Sequence, residues 1–121
     1  MKLSIMAIPS EITQLVQRVN QELDQIEQDA TEGLTLARVI LTRIPNNFLV
    51  IQLLAFLNTS LFYVETIRRR LEERVEYLSR KDVITDEKLQ EVGEDAAMEL
   101  GRLLETKIRV RSIKNRLENL Q

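Results

Sequence analysis

The sequence predicts an all-α protein, an antiparallel bundle of three long helices at about 10–44, 47–81 and 85–119. Three observations lead there. The chain has only 3 glycines and 2 prolines among 121 residues, with 44% hydrophobic and 30% charged residues, a balance rich in helix formers. Turn and cap signals occur at two internal places. Between them, apolar residues recur at alternating spacings of four and three, the period of a helix seam.

The first helix starts at Pro9-Ser10-Glu11, where Ser10 is the expected N-cap and Glu11 carries the sign that suits a helix N-terminus. Its seam reads Ile12, Val16, Val19, Leu23, Ile26, Ala30, Gly33, Ala37, Ile40, Ile44. Gly33 is either a kink or a close approach of another helix. Pro45-Asn46-Asn47 ends this helix, because the residue before proline is pushed out of the helical region and Asn suits a turn.

The second seam reads Val50, Leu54, Leu57, Leu61, Val64, Arg68, Leu71, Val75, Leu78, with Arg68 the charged intruder. All five aromatics, Phe48, Phe56, Phe62, Tyr63 and Tyr77, lie here, which marks this helix as the hub. A second break falls at Lys81 to Thr85, with Thr85 as cap and Asp86 and Glu87 in the first turn of the third helix. The third seam is looser: Leu89, Val92, Ala96, Leu100, Leu103, Lys107, Val110, Ile113, Leu117, Leu120. Residues 1–9 form a short lead and 10–121 a single domain.

Composition removes most catalytic and metal chemistry. With no His and no Cys, neither a Ser-His-Asp triad, a Cys-His pair nor an ordinary zinc site can be built. No phosphate-binding glycine motif occurs. Glu91, Glu94, Asp95 and Glu99 are better explained as a charged outer face than as a cation site. No enzyme, cofactor or metal is expected.

Net charge is −2, but its distribution is uneven. Residues 11–32 carry six acids against Arg18, and 82–99 carry seven against Lys88. From Arg102 onward the sign reverses. Neighbouring acidic and basic stretches in a bundle would account for this. Phe48 to Val64 is apolar but only 17 residues long and interrupted by Gln52, Asn58, Thr59 and Ser60. A membrane span needs about 20 predominantly apolar residues, so a soluble, cytoplasmic protein is expected.

Three constellations stand out. The apolar first half of the second helix exceeds what two neighbours can cover, which points to a homo-oligomer interface at Phe48, Ile51, Leu54, Phe56, Leu57, Leu61, Phe62 and Val64. Phe56, Tyr63, Arg70 and Tyr77 recur every seven residues and share a face. They read as a helix contact or, alternatively, as a stacking ladder for single-stranded nucleic acid. In that alternative Arg68, Arg69, Arg70, Arg109, Arg111, Lys114 and Arg116 supply the positive surface; otherwise Arg68 and Arg69, at intrahelical pair spacing from Glu65 and Glu73, belong to a solvated, self-paired face. Gly93, Ala97 and Gly101 would let another helix cross closely.

Residues 33–47, GLTLARVILTRIPNN, with Phe56-Leu57-Asn58, Ser60-Leu61, Glu65-Thr66, Ile84-Thr85 and Gly101-Arg102-Leu103-Leu104, resemble the small four-helix-bundle family related to 23S ribosomal RNA intervening-sequence proteins and retroelement accessory proteins. The resemblance implies a helical bundle that assembles into a ring and, in the retroelement members, binds nucleic acid through a basic surface. The family's Ala-Glu-Gly after the Pro-Asn turn is absent, and the second helix runs on where the family would turn. The expected role is a non-catalytic scaffold that self-associates through its second helix. The alternative is a nucleic-acid-binding accessory subunit.

Overall fold

The computed structural model describes residues 8–80 and 84–121. They form three α-helices, α1 (Ser10–Arg43), α2 (Phe48–Arg80) and α3 (Asp86–Asn119), with boundaries within a residue or two of those the sequence predicts. Most of the N-terminal lead (1–7) and the break at 81–83 lie outside the described residues. At 1.5 Å per residue each helix is about 50 Å long. Three rods make up nearly all of the described residues.

The ends obey capping chemistry with one change. Thr85 accepts a hydrogen bond from the Lys88 backbone N–H at 3.1 Å, and Asn47 Oδ1 accepts from Val50 N–H at 3.2 Å. At α1 the cap is Pro9, not Ser10, and no side chain caps it. The Pro9 carbonyl accepts from Ile12 N–H and Thr13 N–H instead, which moves the start one residue earlier.

Each helix buries a strict seven-residue repeat: Ile12, Val19, Ile26, Gly33 and Ile40 in α1; Val50, Leu57, Val64, Leu71 and Leu78 in α2; Ala96, Leu103, Val110 and Leu117 in α3. A second repeat, Leu23, Ala30 and Ala37, widens the stripe of α1. Most of these residues form one continuous core. A smaller cluster of Ile12, Leu78, Ile84 and Val92 closes the α2–α3 end.

In α2 the second buried row is Leu53, Ser60 and Ile67, not the predicted Leu54, Leu61, Arg68 and Val75, which are half-buried flanks. Ser60 tolerates the core because its hydroxyl donates to the Phe56 carbonyl at 3.0 Å. The α3 seam is corrected similarly. Glu99 is buried, Leu100 and Lys107 are flanks, and Leu120 is exposed.

The hub is α1, not α2. It lies broadly against both other helices, whereas α2 and α3 touch sparingly. Small residues on α1 explain this. At Gly33 an added Cβ would sit 2.8 Å from Leu57 Cδ1, so glycine here serves close approach, in a helix that continues without a break. Gly93 and Gly101 have open space where a Cβ would go, so the predicted tight crossing on α3 does not exist.

Candidate interaction surfaces

The acidic stretch of α1 meets the basic stretches of the other helices. Lys107 Nζ lies 2.6 Å from Glu22 Oε1, and Lys114 pairs with Asp29 and Glu32. Both partners advance by seven residues between Glu22–Lys107 and Asp29–Lys114, so α1 and α3 run parallel. Arg111 reaches Asp29 Oδ2 at 2.8 Å and Gln25 Oε1 at 3.1 Å. Arg68, the intruder on the α2 seam, donates to Asp24 and Glu27 of the antiparallel α1. It does not pair along its own helix with Glu65. Between α2 and α3, Arg74 Nη1 lies 2.8 Å from Glu99 Oε1.

These contacts change the inventory of basic residues available to an outside ligand. Arg68, Arg111 and Lys114 are engaged with acids of α1, while Arg69, Arg70, Arg109 and Arg116 are exposed and stand outside this pairing. The Lys114 ammonium holds the Glu32 carboxyl below its ordinary value of 4.5, first by a hydrogen bond and further by charge, with help from Gln28. A carboxyl lowered by folding stabilises the native state above its unfolded value and loses that contribution as pH falls through the lowered one. The expected result is that Glu32→Gln flattens acid unfolding below about pH 4.5, read by helical circular dichroism. An unchanged acid limb would remove Glu32 from the acid response.

The aromatic ladder lies along the shallow α2–α3 groove. Phe56 stands opposite Ile108, Arg109 and Ile113, and Tyr63 opposite Thr106 and Arg109. Burial pushes the Tyr63 phenol above its usual 10.0, against the opposing influence of Arg102. At the far end Arg70, Arg74, Tyr77, Lys88, Val92 and Asp95 are among the residues lining a hollow of about 240 Å³, and Lys88 Nζ sits 5.1 Å over the Tyr77 ring. Glu73 and Glu91 also line it, so cations and acids are balanced and the hollow has no strong preference for an anion. Among the described residues no three carboxylates converge as metal ligands; Glu99 turns inward to Arg74, and Glu94 accepts from Gln90.

The expected oligomer face divides. Leu57 and Val64 are fully buried against the chain's own core, and Leu54, Phe56 and Leu61 pack on its edge. Phe48, Ile51 and Phe62 point outward, with Phe48 76% and Phe62 74% exposed. Successive residues turn by roughly 100°, so Ala55 stands roughly opposite Leu57 and Val64. The outermost line of α2 is therefore Phe48, Ile51, Gln52, Ala55, Asn58, Thr59 and Phe62, all exposed. Gln52, Ala55, Asn58 and Thr59 were missed from sequence because the face could be drawn only once the core side was known.

No charged residue occurs from Ile44 to Val64, a run of 21 residues. By length and composition α2 could cross a membrane: an 18-residue window has mean hydropathy 1.6, with 28% of it buried in the bundle. The segment is not the buried middle of the bundle, a place that α1 takes. No family model, curated protein or solved structure matches the chain.

Proposed function

We propose that this chain is a non-catalytic, soluble scaffold that self-associates through the outward face of α2. One observation carries the reading: a 21-residue segment without charge leaves two phenylalanines about three-quarters exposed on one line of a rigid helix. Large apolar side chains exposed together on one uncharged helix face are costly in water and mark a contact site. Gln52, Asn58 and Thr59 within the line favour a protein partner over lipid, because a protein can return their hydrogen bonds. The resemblance to a family of ring-forming bundles agrees with self-association, and the absence of cysteine with a reducing cytoplasm.

Light scattering behind a sizing column is expected to give a multiple of 14.1 kDa at micromolar concentration, falling toward the monomer on dilution. A monomer of 14.1 kDa throughout would overturn the reading.

The alternative, a nucleic-acid-binding accessory subunit, is favoured by one observation: Tyr63 lines one hollow between α2 and α3 with Arg109, and Arg70 and Tyr77 line another further along. With Arg68, Arg111 and Lys114 engaged, it rests on Arg69, Arg70, Arg109 and Arg116. It requires affinity for single-stranded DNA or RNA that falls steeply with salt. No retarded species at low salt would dispose of it.

A further inference from the structure

The outer line of α2 reads nearly the same in both directions about Ala55. Phe48 and Phe62 lie seven residues to either side; Ile51 and Thr59 lie four; Gln52 and Asn58 lie three. Leu49 and Leu61, six residues away on the shoulders, match as well. When two helices cross antiparallel at a shared residue, positions equidistant from it meet at the same height. A parallel in-register pair would set Phe48 on Phe48 and gain nothing from this symmetry.

Building on the self-association proposed above, we infer that the occupant of this face is a second copy of the chain, its α2 antiparallel and crossing at Ala55 on a two-fold axis. Phe48 of each copy then packs beside Phe62 of the other at both ends of a seam about 21 Å long. Ala55 is the smallest side chain of the line and lies where the two axes come nearest. The amides of Gln52 and Asn58 flank the centre, each able to donate and accept.

Among the described residues nothing obstructs the face, because α1 packs on the opposite side of α2.

The chain has no cysteine, so a single Glu72→Cys provides one spin-label site on an exposed position away from the seam. Residue 72 lies about 25 Å along the helix from Ala55, so antiparallel copies place their labels about 50 Å apart. Double electron–electron resonance is expected to give that distance. A separation under about 30 Å, with a dimer mass retained, would overturn the antiparallel crossing and leave self-association standing. A monomer with no intermolecular distance would overturn both. Ala55→Lys, which sets two ammonium groups against each other on the axis, is expected to weaken the dimer at least tenfold without loss of helicity. An unchanged dimer would place the interface elsewhere.

Discussion

Lys107→Met is expected to lower the stability of the bundle by about 3 kcal/mol, the low end of the cost of leaving a buried charge unpaired. The Glu22 side chain is 8% exposed and its Lys107 partner 18%, so both charges have left most of their water. Removing the ammonium strands the carboxylate between α1 and α3. Arg18 persists 3.8 Å from Glu22, but it is largely exposed, which is why the loss falls at the low end. The melting temperature should fall by roughly 10 °C for a chain of this size.

The matched double replacement Glu22→Leu with Lys107→Met removes both charges and keeps the volume. It should recover most of the loss, because a buried pair is repaid only in part for its dehydration. Urea unfolding at fixed protein concentration measures both variants. A double variant as unstable as the single would show that the pair contributes through packing instead. The same change at Asp24, an exposed partner of Arg68, should cost less than 1 kcal/mol.

Leu57→Asp is expected to abolish the fold. Leu57 is fully buried against Gly33, so the substitution loses about 2–5 kcal/mol of packing and adds a buried carboxylate costing several more. Together these approach the total stability of an ordinary domain, about 5–15 kcal/mol. Far-ultraviolet circular dichroism should report an unfolded chain. Phe62→Asp, only five residues along the same helix, should keep its helicity, since Phe62 faces outward. The pair separates folding from assembly: the first variant loses both, the second only assembly. Retained helicity in Leu57→Asp would contradict the placement of Leu57 in the core.

Why could the two residues not be told apart beforehand? Both are apolar, both lie in a neutral run, and both were assigned to one interface. The distinction depends on the rotational phase of α2, and the sequence left that phase open. Leu53 and Leu54 are the same residue type and Leu61 is larger and more apolar than Ser60, so hydrophobicity alone drew the second row one residue too far. Ser60 occupies the core because its hydroxyl returns to its own helix, a local bond with no signature in apolar spacing. Choosing α2 as hub had the same origin: its aromatics announced contact surface, but α1 offers the small residues that let two neighbours approach together.

Arg68 illustrates the limit for charges. Glu65 at helical pair spacing made a local partner plausible, yet Asp24 and Glu27, more than forty positions away, hold its guanidinium. No rule of intrahelical spacing reaches that far. The segregation of acids in residues 11–32 from bases after Arg102 was readable, and their juxtaposition in the bundle followed.

The sequence by itself determined three long helices, their ends within a residue or two, the core heptads of α1 and half of those in α2. These depend on local quantities: proline and asparagine at the turns, a threonine cap, and apolar residues repeating near the pitch of a helix. The tertiary structure decided which helix is central, which side of α2 faces in, which cations are spent on internal acids, and that Gly33 admits Leu57. Those outcomes depend on the relative rotation and offset of whole helices, which are fixed by the packing of all three together. The outward line of α2 is the remainder of that packing, the face left uncovered once α1 has taken the other.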